Sequence, residues 1–77
     1  MKIRVRCFTG MRRYAPSGSG DFEMEIEAGC SVACLLTRLG IPADIQPFIA
    51  VNGTRKEPDQ HLNDGDVVIL FTMAEGG

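Results

Sequence analysis

The stretch Val67-Val68-Ile69-Leu70-Phe71 decides the fold of this chain. Its five residues are all apolar, whereas a strand with one face in water alternates apolar and polar side chains. Such an unbroken run is typical of a strand that is covered on both faces in the middle of a sheet. The sequence therefore predicts a strand over 67–73 with neighbours on both sides, and the first strand of the chain is its expected partner.

The first two strands are predicted from strict alternation along residues 2–8 and 21–27. Lys2, Arg4 and Arg6 share one face of the first strand, and the outward positions of the second strand are all acidic. In an antiparallel pair the two faces would meet, and opposite charges across strands contribute about 0.2–1 kcal/mol per pair. We favour this interpretation of the basic N-terminus over nucleic-acid binding, because no aromatic platform is interleaved with the charges.

One helix is predicted over residues 32–39. Its apolar residues recur at the helical spacing i, i+3, i+4 and i+7: Val32, Leu35, Leu36 and Leu39. Ser31 suits the N-cap, and Gly40 suits the left-handed residue that follows a helix. A helix this short is unstable in isolation, so we expect its apolar stripe to pack on the sheet.

The remaining elements complete a recognisable fold. A strand is predicted over 48–52, and the pair Asn52-Gly53 favours a type I′ turn into a second, short strand. Strand, strand, helix, hairpin and strand, with the first and last strands parallel in the centre, is the β-grasp (ubiquitin-like) arrangement. The predicted class is α+β: a mixed sheet with one main helix on one face, in a single domain over 1–77. The predicted core is Ile3, Val5, Phe22 or Met24, Ile26, Val32, Leu35, Leu36, Leu39, Ile49, Val51, Leu62, Val68 and Leu70.

Composition points to a small chain without a membrane segment. The 77 residues carry a formal net charge of −2, and 44% of them are hydrophobic. The longest apolar run is far shorter than the roughly 20 residues that span a bilayer. The N-terminus alternates charged and apolar residues and lacks the apolar centre of a signal peptide. We therefore expect a cytoplasmic protein that has no membrane or nucleic-acid partner.

The three cysteines are an odd number in a chain without a secretory signal. This argues against a disulfide framework and suits a reducing compartment. Their spacing does not supply the four ligands of a structural zinc site or match the plant-type iron–sulfur pattern, so no bound metal is expected. Cys7 and Cys34 are predicted to be small buried apolar side chains. Cys30, beside the start of the helix, is the one candidate for a lowered pKa.

No pattern in the sequence indicates a catalytic centre. His61 is the single histidine and lies in a polar loop, where we expect it to be solvated. The sequence contains no carboxylate pair in a recognisable setting, and it contains neither of the glycine-rich phosphate-binding motifs. The prediction is a protein that is not an enzyme and binds no cofactor of its own.

After the last predicted strand the chain continues to Glu75-Gly76-Gly77. Glycine loses more backbone entropy on ordering than any other residue, so these two glycines add nothing to a fold. A flexible tail is therefore predicted over about 74–77. A carboxylate on an arm without side chains can enter a narrow active site that a Cβ atom would block, which predicts that the tail is a substrate for a partner enzyme.

Four segments, in this order and at this spacing, resemble the ThiS/MoaD family of thiamine and molybdopterin sulfur carriers, the prokaryotic relatives of ubiquitin. They are the opening "MKIRVRCF" with "MRRYA", the helix entry "EAGCSVACLLTRLG", the strand and turn "FIAVNG", and "LNDGDVVILF". The terminal glycine pair completes the resemblance, which covers nearly the whole chain and is closest to the small subunit of molybdopterin synthase.

The resemblance implies a role for the tail. Gly77 would be adenylated by an E1-like enzyme that uses ATP, and then converted to a thiocarboxylate with sulfur from sulfide or a persulfide. The protein would donate this sulfur in molybdopterin- or thiamine-type biosynthesis, to a molybdopterin-synthase large subunit or a thiazole synthase. Residues 71–75 lack the proline and apolar residue that often precede the family's glycines, and Glu75 is unusual there, so the receiving pathway stays open.

Phe71 and Met73 are the predicted partner-binding residues. If the alternate positions of the last strand face the helix, these two share the opposite side, where an apolar patch is typical of an interaction site. The alternative is that both residues complete a small second face of the core. At the level of function, the alternative to a sulfur carrier is a ubiquitin-like binding or conjugation module without sulfur chemistry.

Overall fold

The structure is a computed structural model, and it describes residues 1–15, 20–42 and 44–72. In chain order the elements are β1 (Lys2–Cys7), a 3-10 helix (Thr9–Tyr14), β2 (Asp21–Glu25), α1 (Val32–Arg38), β3 (Phe48–Val51), β4 (Thr54–Arg55) and β5 (Val67–Phe71). The predicted strands and helix agree with these bounds to within two residues. Among the described residues, no helix is long and apolar enough to cross a membrane.

The last strand occupies the centre of the sheet, as its apolar run predicted. The strand order is β2-β1-β5-β3-β4, with β5 parallel to β1 and antiparallel to β3. Val68 of β5 lies opposite Val5 on one side and Val51 on the other. The α+β class and the β-grasp arrangement, with a mixed sheet and one main helix, are therefore confirmed.

Charge pairing between β1 and β2 is also confirmed. The antiparallel register sets Lys2 against Glu25, and Arg4 against Glu23. Arg4 donates to Asp21 at 2.8 Å and to Glu23 at 3.3 Å, and the bond to Asp21 raises the pKa of the Arg4 guanidinium. These side chains are about half exposed, so water screens each pair and its contribution to stability is small.

Both ends of α1 are capped as the sequence predicted. The Ser31 hydroxyl oxygen accepts a hydrogen bond from the backbone N–H of Cys34 at 3.1 Å. At the other end Gly40 adopts a φ of +77° and donates to the carbonyl of Thr37, while Ile41 donates to Leu36. This Schellman arrangement satisfies carbonyls that the end of the helix leaves without an intrahelical partner.

The core lies between α1 and the inner face of the sheet. Ten of its predicted members are buried: Ile3, Val5, Ile26, Val32, Leu35, Ile49, Val51, Leu62, Val68 and Leu70. The prediction was too wide for Leu36, Leu39, Phe22 and Met24, which are only partly buried and pack against the edge of the core. A helix of seven residues covers a narrow strip of the sheet, so only Val32 and Leu35 are fully enclosed.

No helix or strand was predicted for the segment that follows β1, whose composition is typical of a loop. It forms the 3-10 helix, which begins with a hydrogen bond from the N–H of Met11 to the carbonyl of Phe8. Met11 is 1% exposed and joins the core. No apolar periodicity marks such a short helix, and the Gly-, Ser- and Pro-rich composition of the segment masked its single core residue.

A buried carboxylate fixes the β3–β4 turn to β5. Asp66 accepts hydrogen bonds from the Asn52 side-chain amide at 2.9 Å and from the N–H of Asn63 at 2.8 Å. Asn52 in turn accepts from the N–H of Val67 at 3.0 Å. Asn52 and Gly53 have φ values of +54° and +85°, as the predicted type I′ turn requires.

The cysteine prediction needs a correction, because Cys30 and Cys34 form a disulfide. Their Cα atoms lie 5.5 Å apart across the first turn of α1, within the range that a disulfide spans. An odd number of cysteines therefore excluded a framework but not one local pair. Cys7 is free and buried, as predicted, and burial raises the pKa of its thiol, which keeps it protonated and apolar.

Candidate functional site

The outer face of the sheet, away from α1, carries apolar side chains at its centre. Along β5 buried and half-buried residues alternate, so Ile69 and Phe71 face outward. Neighbouring strands add two aromatic residues, Phe8 just after β1 and Phe48 at the start of β3. Together we call Phe8, Phe48, Ile69 and Phe71 the outer apolar patch.

Strand pairing brings the aromatic rings of the outer apolar patch together. Phe48 lies opposite Phe71, with ring centroids 5.5 Å apart and the planes inclined by 20°. An aromatic pair of this kind contributes about 0.5–1.5 kcal/mol beyond its buried area. The N–H of Phe8 donates to the carbonyl of Leu70 at 2.9 Å, which sets Phe8 beside the end of β5. The patch therefore surrounds the point at which β5 ends.

Water reaches much of this patch. Phe8 is 42% exposed, and within residues 1–15, 20–42 and 44–72 it is the one large hydrophobic residue that is exposed. The other three members of the patch are half-buried. Single exposed apolar residues are ordinary, but a contiguous apolar surface commonly marks an interaction site.

Two arginines border the patch. The guanidinium carbon of Arg6 lies 5.8 Å from the ring centroid of Phe8, and that of Arg55 lies 5.6 Å from the ring centroid of Phe48. Arg6 is also 3.8 Å from Asp21, a long contact between exposed groups, whereas Arg55 takes part in none of the ion pairs of the described residues. The surface therefore suits a partner with an apolar centre and carboxylates at its border.

Of the predicted site residues, the structure describes only Phe71. It faces outward, as predicted, and its role in binding a partner stays a prediction. Met73, Glu75, Gly76 and Gly77 lie outside the described residues, so the tail remains a prediction as well. His61 is exposed, as expected, in an isolated bridge with Ser31.

Three residues of this surface were not assigned to it from the sequence: Phe8, Phe48 and Arg55. The signal for Phe8 was present, because the alternation of β1 places it on the same face as Arg6. Phe48 and Arg55 required the pairing register of β3 with its two neighbours, which a single sequence does not reveal.

A groove of about 630 Å³ lies between α1 and the β3–β4 hairpin. Leu36 and Ile41 line it from the helix side, and Phe48, Lys56 and Pro58 line it from the hairpin side. Most of the residues that line the groove are apolar.

No protein-family model matches the chain, and no curated protein matches it. Comparison with solved structures does find similar proteins. SAMP1 from Haloferax volcanii superposes with a TM-score of 0.78 at 18% sequence identity, covering 100% of both chains. A putative molybdopterin converting factor, subunit 1, from Pyrococcus furiosus superposes with a TM-score of 0.76 at 28% identity, covering 94% of this chain and 97% of that one.

A third similar structure is a complex. It contains subunits 1 and 2 of the molybdopterin-converting factor from Helicobacter pylori, and the matching chain has a TM-score of 0.63 at 23% identity, with 100% of both chains covered. The resemblance drawn from the sequence motifs is thus confirmed in structure, because the chain shares the ubiquitin-like fold of these proteins. The similar structures include both molybdopterin-converting-factor subunits and a small archaeal modifier protein.

Proposed function

We propose that this ubiquitin-fold protein is a sulfur carrier whose Gly77 carboxylate is activated by an E1-like enzyme and converted to a thiocarboxylate. The likeness to the Pyrococcus furiosus subunit, at 28% identity over nearly the full length of both chains, supports the assignment. The chain is a co-substrate in this scheme, and the enzymes that act on it supply ATP binding and catalysis.

The chemistry follows from the weakness of a carboxylate as an electrophile. A Gly77 oxygen attacks the α-phosphate of ATP, pyrophosphate leaves, and the glycyl adenylate forms. Hydrosulfide then attacks the glycyl carbonyl carbon and displaces AMP, which leaves the thiocarboxylate. With an enzyme persulfide as nucleophile, the first product is an acyl disulfide, which a second thiol cleaves to the same thiocarboxylate. Glycines at 76 and 77 suit these reactions because no Cβ atom blocks access to either carbonyl carbon.

The observation that carries the proposal is the position of the outer apolar patch at the end of β5. Phe71 is the last residue of that strand and a member of the patch, and Gly77 follows it by six residues. A fully extended chain spans about 3.3–3.6 Å per residue, so six residues allow the Gly77 carboxylate to reach at most about 22 Å from Phe71. A partner bound to the patch would therefore have the carboxylate within reach of its active site.

In this proposal the protein that accepts the sulfur also binds to the outer apolar patch. The Helicobacter pylori structure is a complex of subunits 1 and 2 of the converting factor, which supports a synthase large subunit as one partner type. A thiazole synthase is the other. Arg6 and Arg55 favour acidic residues at the border of either partner's surface.

The test is an intact-mass measurement after incubation with an E1-like enzyme, ATP and sulfide. We expect a mass gain equal to the difference between one sulfur and one oxygen atom, localised to Gly77 in a terminal peptide. Deletion of Gly77 should abolish the gain, and so should one residue appended after it, while the fold should be unaffected.

An unmodified mass with the enzymes of the source cell supplied would contradict the proposal. Two controls make the result specific. Omission of ATP should leave the mass unchanged, and omission of sulfide should leave only the adenylate. If the chain is instead recovered in amide linkage to lysines of other proteins, without any thiocarboxylate, the function is that of a ubiquitin-like modifier.

A further inference from the structure

Glu27, Cys30 and Cys34 form a cluster that the carrier chemistry does not use. One ligand atom from each, a carboxylate oxygen and two sulfurs, lies within 4.8 Å of the others. The cluster sits at the end of the sheet where β1 begins, because Ile26 donates to the carbonyl of Met1. The strand β5 runs parallel to β1. The end of β5 that carries the outer apolar patch therefore lies at the opposite end of the strands from the cluster.

Local backbone structure brings the three side chains together. The N–H of Cys30 donates to the carbonyl of Glu27 at 3.1 Å in a tight turn, and Gly29 adopts a φ of +87° within it. The Ser31 cap then fixes the N–H of Cys34. Two hydrogen bonds, one in the turn and one at the helix cap, thus hold the cluster together in addition to the disulfide.

We propose that the dithiol form of Cys30 and Cys34, together with the Glu27 carboxylate, binds one thiophilic divalent cation such as Zn²⁺. Two thiolates and a carboxylate are ligands that zinc accepts, and two cysteines separated by two to four residues are common in zinc sites. With Zn–S bonds of about 2.3 Å, two tetrahedral sulfurs lie about 3.8 Å apart, a separation that Cα atoms at 5.5 Å accommodate. Water or a group from a partner would fill the fourth position.

Arg38 completes the arrangement from outside the ligand set. Its guanidinium donates to one oxygen of Glu27 at 2.6 Å, which orients the carboxylate and leaves the second oxygen for the metal. Metal-binding carboxylates are generally held by such outer hydrogen bonds. Three anionic ligands around a dication leave one excess negative charge, and the positive charge of Arg38 offsets it.

The site exists only when the disulfide is open, so metal binding requires a prior two-electron reduction. An external dithiol attacks the disulfide, is itself oxidised to a disulfide, and leaves Cys30 and Cys34 as two thiols. The cation then displaces one proton from each thiol to solvent as two metal–sulfur bonds form. Bound metal occupies both sulfurs and would slow their re-oxidation.

The experiment uses the full chain, reduced with a dithiol and transferred to anaerobic buffer without it. Co²⁺ serves as the probe because its thiolate charge-transfer absorption reports sulfur ligation, and calorimetry with Zn²⁺ gives stoichiometry and affinity. We expect one equivalent of metal with strong charge-transfer absorption, competition between the two cations, and no binding by the disulfide form.

Variants decide whether the named residues are the ligands. Cys34→Ser should abolish the charge-transfer absorption, and Glu27→Gln should weaken Zn²⁺ binding at least about tenfold. Cys7→Ser, which removes the free buried thiol, and Glu25→Gln, on the neighbouring strand, should leave binding unchanged. Glu27 is exposed, so its variant tests the site even if Cys34→Ser fails to fold.

Absence of charge-transfer absorption in the reduced wild type would overturn the proposal. Binding that persists unchanged in Glu27→Gln and Cys34→Ser, or that is lost in Cys7→Ser, would overturn it equally. Deletion of Gly77 should not alter metal binding, so the outcome is independent of the carrier function.

Discussion

Leu70 and Phe71 are neighbours on the same strand, but they lie on opposite faces of the sheet and differ in burial. Leu70 is 0% exposed against α1, whereas Phe71 is half-buried on the outer face. Both faces are apolar at the centre of the sheet, but within residues 1–15, 20–42 and 44–72 only the inner face is covered by other parts of the chain. Apolar character on β5 therefore serves folding on one side, and it remains available to a partner on the other.

Replacement of Leu70 by alanine, on the inner face, should reduce the stability of the fold the most. A fully buried leucine truncated to alanine costs about 2–5 kcal/mol through lost burial and the cavity left behind. A chain of 77 residues has a small core, so a loss of this size is a large fraction of its stability. Urea denaturation should show a much lower midpoint, or no folded baseline at all. A loss below about 1 kcal/mol would mean that the inner face is not the main source of stability.

Phe71→Ala should have a smaller effect on folding. A half-buried side chain contributes roughly half of the 1.5–3 kcal/mol that full burial provides, and removal of the Phe48–Phe71 ring pair adds about 0.5–1.5 kcal/mol, so we expect a loss of about 1–3 kcal/mol. The same urea experiment measures it, with Phe71→Leu as the matched variant that keeps an apolar side chain without the ring. A loss as large as that of Leu70→Ala would make the outer face a second core and contradict its assignment as a docking surface.

The two faces were also unequally visible in the sequence. The inner face was predicted almost completely, because alternation in β1 and the unbroken run of β5 depend on residues close together in the chain. The outer apolar patch was predicted only along β5, at Ile69 and Phe71, because Phe48 joins it through the antiparallel register of β3 with β5. Met11 was missed for a related reason: a 3-10 helix has no periodicity that marks its one buried residue.

The disulfide illustrates a different limit of sequence reasoning. The number of cysteines argues for or against a framework of several disulfides. Whether two cysteines four residues apart form a disulfide depends instead on the backbone conformation at the start of α1. The cap at Ser31 was predicted, but the backbone hydrogen bond that sets Cys30 beside Glu27 was not. The candidate metal site therefore became visible only with the structure.

Arg38→Gln should change the stability of the fold the least. Arg38 contacts Glu27 and belongs to neither face of the sheet. The hydrogen bond from Arg38 lowers the pKa of Glu27 below its ordinary value. A depressed folded-state pKa contributes stability above the unfolded pKa, and this contribution is lost as pH falls through the folded pKa. Arg38→Gln should therefore raise the pKa of Glu27 in an NMR titration. The small stability difference from the wild type should disappear at acidic pH, and a difference that grows at acidic pH would contradict the assignment.

The most direct test of the division between the faces is ATP–pyrophosphate exchange by the E1-like enzyme, with this protein as the varied substrate. Phe71→Ala should raise the KM for the protein at least about tenfold, the size expected for a central interface residue, with kcat largely retained. Leu36→Ala, which shortens a half-buried residue on the helix side, should leave the KM unchanged. An unchanged KM for folded Phe71→Ala, or an equal rise for Leu36→Ala, would contradict the account.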